Sequence, residues 1–217
     1  MHSNELEAYK ARLKLNSEQE EVLIGLMLGD GHLETQNRGR TYRLKIEQSE
    51  KHEAYVQHLY HLFQNWVRTP PQPKVVRSRG RVSRNWWFQT LSHGAFRFFA
   101  QQFYEDGRKR VPRLIHRWLT PRALAYWFMD DGSIKSSQSK GVIFNTQGFE
   151  RSDVQRLCNV LHEKFSLEAK LRKQKEGWQI YISGRSYETF RGLIEPFLIP
   201  TMRYKLPAAR QTQLPKR

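Results

Sequence analysis

Leu23-Ile24-Gly25-Leu26-Met27-Leu28-Gly29-Asp30-Gly31 and Leu124-Ala125-Tyr126-Trp127-Phe128-Met129-Asp130-Asp131-Gly132 decide how this chain folds. Each is an apolar stretch of helical length that stops at an acid and a glycine. Asn16-Ser17, with Glu20 three residues after the serine, is a capping-box pattern ahead of the first stretch. Thr120-Pro121 supplies a cap and a first-turn proline ahead of the second. Gly31 and Gly132 suit the position just past a helix end. Strand pairs follow each stretch. They are expected near 32–36 with 41–48 and near 133–137 with 141–146. Helices are then expected over 51–66 and 150–165. Second strand pairs come near 74–79 with 84–91 and near 168–173 with 177–182, and the last helices over 93–104 and 184–195. The chain thus states one order of elements twice, with a period of about 101 residues. That period exceeds any solenoid repeat and predicts two pseudo-symmetric lobes. The fold class is α/β (α+β), with two αββαββα lobes, each built on a saddle-shaped antiparallel sheet. The expected division is an N-terminal extension over 1–16, a first lobe over 17–104, a basic, proline-bearing linker over 105–120 and a second lobe over 121–217.

Charge names the class of partner. Lys and Arg number 37 against 21 acids, giving a net charge of +16. Such an excess points to a polyanion, most often nucleic acid. The cations concentrate on the predicted hairpins. Arg38, Arg40, Arg43 and Lys45 fall on one, and Arg77, Arg79, Arg81 and Arg84 on the next. Lys135 and Lys140 belong to a third, and Lys170, Arg172 and Lys173 to a fourth. Gln89, Gln147 and Gln179 are interleaved with them and can read base edges. Alternate side chains of a strand share a face, so Arg77, Arg79 and Arg81, or Arg43 and Lys45, can line one surface. A twisted basic ribbon fits a major groove. The alternative is a set of solvated hairpin faces, which usually carry balancing acids.

The two helix-terminal acids carry the chemistry. A carboxylate at a helix C-terminus faces the negative end of the macrodipole, which costs roughly 0.3–1 kcal/mol. A bound cation reverses that sign. Two such carboxylates brought together across a helix pair would suit Mg²⁺ and phosphodiester chemistry. Gly25 and Gly29, four apart on one helix face, allow a partner backbone to come close. Here the pattern resembles the two motifs of LAGLIDADG homing endonucleases, and is most similar to the monomeric two-motif enzymes encoded by group I introns in large-subunit ribosomal RNA genes. Arg40-Thr41-Tyr42, Asn145-Thr146-Gln147 and Tyr204-Lys205-Leu206-Pro207 extend the resemblance over about residues 17–207. The second motif departs where Tyr126 replaces the glycine, and Ala125 is the expected point of approach instead.

The resemblance implies that Asp30 and Asp131 are the metal carboxylates and that Gly29 and Asp130 offer backbone carbonyls. It also implies one lysine per half near the cut phosphates, Lys109 and Lys205. The implied activity is metal-dependent cleavage of both strands of a long asymmetric duplex DNA site, leaving staggered ends. Mg²⁺ is the implied ion, with Mn²⁺ able to substitute. The implied state is a monomer. Intron RNA, bound by a maturase, is the alternative partner, and a non-catalytic DNA-binding regulator is a second alternative. No apolar run reaches the ~18 residues needed to span a bilayer, the polar N-terminus reads as no secretory signal, and Cys158 has no partner for a disulfide. The expected location is intracellular: an organelle or a bacterial cytoplasm. Weaker patterns are His58 with His61, Asp153 with Glu168 and Lys170 (a formal match to another Mg²⁺ nuclease signature), and Trp86-Trp87, of which one is expected in the core.

Overall fold

The computed structural model describes residues 3–78, 80–136 and 139–207. A short helix α1 (Ser3–Lys10) precedes the first lobe. That lobe runs α2 (Ser17–Leu28), β1 (His32–Glu34), β2 (Arg43–Ser49), α3 (Glu53–Phe63), β3 (Gln72–Ser78), β4 (Arg81–Gln89) and α4 (Arg97–Phe103). The connection holds β5 (Tyr104–Glu105), β6 (Arg108–Lys109) and α5 (Ile115–Trp118). The second lobe runs α6 (Pro121–Asp131), β7 (Gly132–Ser136), β8 (Ser139–Phe144), α7 (Arg151–Phe165), β9 (Ala169–Gln174), β10 (Gly177–Ile182) and α8 (Tyr187–Ile194). A six-residue 3₁₀ helix, Pro200–Lys205, follows. Strand order is β1-β2-β4-β3 in one lobe and β7-β8-β10-β9 in the other. All pairings are antiparallel. The duplication in sequence is therefore a duplication in topology.

The two motif helices form the seam. Every residue of α2 from Val22 to Leu28 and of α6 from Ala123 to Met129 is buried. Such all-round burial needs protein on every side, and the partner helix supplies one of those sides. The capping box at α2 uses Asn16 and Gln19, one residue earlier than Ser17 and Glu20. Asn16 Oδ1 accepts from the Gln19 N–H at 2.8 Å, and Gln19 accepts in return at 3.2 Å. The Gln19 amide nitrogen donates to the Leu62 carbonyl of α3, which leaves its oxygen to face the cap. At α6 the Thr120 side chain accepts from the Ala123 N–H, with Pro121 in the first turn.

Crossing geometry corrects one expectation. A methyl at Gly25 would meet the Ala123 carbonyl, Tyr126 Cβ and Trp127 N. The close approach is made by the turn Ala123–Trp127 through Ala123 and Tyr126, not through Ala125. At ~100° per residue Ala125 lies about 200° around α6 from Ala123, turned toward its own lobe. Gly31 and Gly132 are also not left-handed caps; neither has a positive φ. Glycine is required there for space. A Cβ at Gly31 would press on Leu26, and one at Gly132 on the Phe128 ring.

Candidate active site

The acids of the two motifs meet where α2 and α6 end side by side. Asp30 is exposed, two residues past the end of α2, whereas Asp131 is the last residue of α6 and is half-buried. Asp130 does something the sequence did not reveal. Its side chain crosses the seam and lies against Gly29, where a Cβ would come within 2.5 Å of its carboxylate. Asp130 Oδ2 accepts from the Asp30 N–H at 3.0 Å. The carboxylate of one motif thus fixes the backbone of the other, and Gly29 leaves the room for it.

Each helix end also receives a lysine. Lys109 Nζ donates to the Gly29 carbonyl at 2.6 Å. Lys205 Nζ donates to the Asp130 carbonyl at 2.9 Å and to the Met129 carbonyl. These cations satisfy last-turn carbonyls and oppose the negative ends of both dipoles. The two lysines come from unrelated elements, β6 and the 3₁₀ helix, yet reach equivalent points. The carbonyls of Gly29 and Asp130 are the same two that the resemblance offered to metals, so lysine, carbonyl and carboxylate share one small volume.

Gln48 on β2 ties the acids together, donating to Asp30 Oδ2 at 2.8 Å and facing Asp130 Oδ1 at 3.5 Å. His52 lies between Gln48 (3.4 Å) and the Tyr204 hydroxyl (3.2 Å), which links the first lobe to the segment carrying Lys205. The buried Tyr55 hydroxyl lies beside Asp130, whose charge adds to burial in raising the phenol pKa well above its ordinary value. Gln48, His52 and Tyr55 carry no motif, whereas Tyr204 comes in with the stretch that holds Lys205. Strand register brings in Gln48, the turn before α3 brings in His52, and the face of α3 brings in Tyr55.

Electrostatics reflect crowded acids. Burial, and then the Asp30 charge, push Asp131 up to about 7, against the pull of Lys109 and Lys205. Asp130 is raised well above the carboxylate range by burial and then by Asp30. Burial lowers both lysines, and the three aspartates oppose that. Repulsion between carboxylates that burial already disfavours is relieved by a hard cation. Among the described residues no group of three or more His, Cys, Asp or Glu side chains is arranged to hold a metal alone. Two carboxylates and backbone carbonyls still fit an ion that keeps water and takes phosphate oxygens as further ligands.

Register sorts the cations by face. Opposed residues of an antiparallel pair point the same way. Lys45 opposes Gln89 and His32, and Glu34 opposes Arg43, so these share the open face while Leu33, Leu44, Ile46 and Phe88 fill the core. Trp87 is open and Trp86 packs on the core. Arg77 opposes Val82, and Arg84 opposes Val75. All four are exposed, on the same side of the sheet as Phe88. Arg77 and Arg84 therefore lie opposite Arg43 and Lys45 rather than beside them, because β3 and β4 pair with Lys74, Asn85 and Trp87 on the open side. Arg79 lies outside the described residues. Arg81 pairs with Ser78 through the backbone at the hairpin end. Arg38 and Arg40 are exposed on a loop ordered by Asn37, which accepts from the Thr41 N–H. In the second lobe Lys170 opposes Tyr181, and Arg172 opposes Gln179, on the open side, although Gln179 is itself buried and its amide donates to Asn145 Oδ1 at 2.7 Å. Lys173 opposes Trp178 on the other. Lys135 stands over the Tyr181 ring. Lys140 turns to the helices and pairs with Glu188 at 2.5 Å. Gln147 sits in the loop before α7, its backbone against Gly177. The open face is also not free of acids. Glu34 pairs with Arg43 and Lys45, and Glu47 with Lys74.

The remaining patterns take structural roles. His58 bonds to the Tyr126 hydroxyl at 2.6 Å, and His61 to the Gln57 carbonyl. Asp153 bonds to Val111, whereas the Glu168 N–H bonds to Ser186. Cys158 is buried and free.

The sequence profile of the LAGLIDADG DNA endonuclease family matches residues 20–190. This chain belongs to that family. It is a single-chain member with two motifs, and family and fold place it among DNA endonucleases. It is 36% identical, over 88% of its length and 85% of the other's, to probable intron-encoded endonuclease 1 of Wickerhamomyces canadensis. It is 32% identical to DNA endonuclease I-ChuI of Chlamydomonas applanata, over 89% of this chain and 96% of that one. The structure of the homing endonuclease I-WcaI bound to its DNA recognition sequence superposes with a TM-score of 0.90 at 33% identity, covering 96% of this chain and 95% of that one. A more distant relative is the cytochrome b mRNA maturase bI2 of Saccharomyces cerevisiae, 30% identical over 85% of this chain and 46% of the maturase.

Proposed function

We propose that this protein is a site-specific homing endonuclease that cuts both strands of a long, asymmetric duplex DNA site and leaves staggered ends. One observation carries the proposal. Two aspartates end two packed helices, and each helix end is met by a lysine from a different element. Asp30 and Asp131 would hold divalent ions, Mg²⁺ or Mn²⁺, with the Gly29 and Asp130 carbonyls beside them. Bound there, such an ion supplies Lewis-acid charge and lowers the pKa of its water. The chain's own groups do the rest. Asp130 fixes the Asp30 backbone, Gln48 orients the Asp30 carboxylate, and Lys109 and Lys205 place positive charge where the phosphate gains negative charge. The open faces, with Arg43, Lys45 and Gln89 in one lobe and Lys135, Lys170, Arg172 and Gln179 in the other, would lie in the major groove. Arg38 and Arg40 extend the contact, and Arg77 and Arg84, exposed on the other side of the same hairpin, would add longer-range positive charge. Unlike lobes in one monomer suit an asymmetric site. The biological role would be intron homing, inside an organelle or a bacterial cell.

The maturase relative supports a second reading, in which the same basic surface binds intron RNA. The deciding experiment presents plasmids carrying candidate intron-less junctions with Mg²⁺, and labelled intron RNA in parallel. The endonuclease reading expects linear plasmid that EDTA abolishes. Tight RNA binding with no cut at any junction favours the maturase.

A further inference from the structure

Lys109 is held on two sides, by different lobes. Upstream, β5 and β6 form a small hairpin that pairs Tyr104 with Lys109. Its turn, Asp106-Gly107, is left-handed at both residues (φ 49° and 76°), the geometry of a tight hairpin turn. Tyr104 in turn accepts from the Leu33 N–H of β1. This side belongs to the first lobe.

Downstream, the chain crosses to α7 of the second lobe and is gripped there. The Val111 N–H donates to Asp153 Oδ2 at 2.9 Å. Arg156 donates to the Val111 carbonyl at 2.8 Å and to Asp153 Oδ1 at 2.6 Å. One ion pair thus holds both polar groups of one backbone residue. Asp153 is 8% exposed and Val111 1%. A carboxylate so enclosed is tolerable only when its oxygens are satisfied, and here both are. Deleting either partner leaves buried groups unpaired.

The second half meets the same need with a neutral group. The buried Tyr187 hydroxyl, at the start of α8, donates to the Pro207 carbonyl at 2.7 Å. Val111 stands two residues after Lys109, and Pro207 two residues after Lys205. At both helix ends, then, the backbone is anchored the same short distance past the lysine, and both anchors come from the second lobe. An anchor two residues away fixes the Cα of the lysine and limits where its Nζ can sweep.

We propose that Asp153 and Arg156 are positioning residues for Lys109, and Tyr187 for Lys205, so that the second lobe sets both lysines against the paired helix ends. The proposal rests on the assignment of the two lysines made above. It goes beyond that assignment by giving the linker a holding site in the opposite lobe.

The test is strand-resolved, single-turnover cleavage of a duplex labelled separately on each strand, with Mg²⁺. Lys109→Met should slow one strand and Lys205→Met the other. Asp153→Ala and Arg156→Gln should then slow the Lys109 strand by about ten- to a hundredfold, and spare the other. Tyr187→Phe should slow the Lys205 strand. Asp153→Asn keeps an acceptor for the Val111 N–H and should restore part of the rate. Asp153→Ala combined with Lys109→Met should be no slower than Lys109→Met alone. DNA affinity in Ca²⁺ should be unchanged for the Asp153, Arg156 and Tyr187 variants. Should Asp153→Ala fail to fold, Arg156→Gln, at the more exposed arm of the pair, carries the test. Equal slowing of both strands by the Asp153 and Arg156 variants, or none, overturns the proposal while Lys109→Met remains strand-selective. If Lys109→Met is itself unselective, the lysine assignment falls and takes the proposal with it.

Discussion

Gly25→Ala tests the helix seam with the smallest possible change. The added methyl would stand 2.8 Å from Tyr126 Cβ and closer still to the Ala123 carbonyl, while real Cβ atoms essentially never come within 3.0 Å of a neighbour. Two of the three nearest atoms are backbone, the Ala123 oxygen and the Trp127 nitrogen, so no rotamer change relieves the clash. The helices must separate by several tenths of an ångström. Overpacking of this kind costs about 1–3 kcal/mol. Alanine returns up to about 1 kcal/mol through helix propensity. The net expectation is a loss of about 1–2 kcal/mol, or a melting temperature lower by about 2–8 °C for a chain of this size. Because Asp30, Asp130 and Asp131 sit at the same seam, cleavage should fall by more than the stability loss explains; a displacement of about 1 Å can cost a hundredfold in rate. Thermal melting by circular dichroism and single-turnover cleavage at 25 °C measure the two effects. An unchanged or raised melting temperature would show that propensity dominates and that the helices do not touch at Gly25.

Two more predictions follow from face and charge. Arg43→Ala, on the open face, should weaken DNA binding and reduce the slope of log affinity against log salt by about one. Arg77→Ala, on the opposite face, should change both less, and equal effects would mean the hairpin twists far enough to bring Arg77 to the groove. The metal-free protein should lose stability as pH rises through about 7. Folded Asp131 holds its proton up to there, whereas the unfolded chain releases it near its ordinary carboxylate value. That contribution is fully present below the unfolded value and lost above the folded one. Melting temperature measured from pH 5 to 9 should fall more steeply for the wild type than for Asp131→Asn. Parallel profiles would refute the raised pKa.

Much of this was legible in the chain because local patterns decide it. The motif helices, their caps and every long strand pair lie within a few residues of expectation, since amphipathic period, proline and glycine act over a few residues. The duplication alone makes Asp30 and Asp131 a pair. Faces were a different matter. Whether Arg77 lies with Lys45 depends on how β3 and β4 register against β2, and a shift of one residue reverses every side chain. The β5–β6 hairpin was hidden because Asp106-Gly107 sits in a polar stretch with no alternating strands around it. Gln48, His52 and Tyr55 reach the site through sheet register and helix packing. The resemblance assigns Asp130 only a backbone carbonyl, and it is the gap above Gly29 that gives its side chain a role. Ala125 lies off the crossing because the face of α6 that meets Gly25 and Gly29 is the helical stripe of Ala123, Tyr126, Trp127 and Asp130.

The most direct measurement is cleavage of a supercoiled target plasmid in Mg²⁺ by the wild type, Asp30→Asn and Asp131→Asn, with DNA affinity measured separately in Ca²⁺. Both variants should lose formation of linear product while binding DNA as tightly as the wild type. Full double-strand cleavage by either variant would contradict the account, because it would leave one of the two paired aspartates without a part in the reaction.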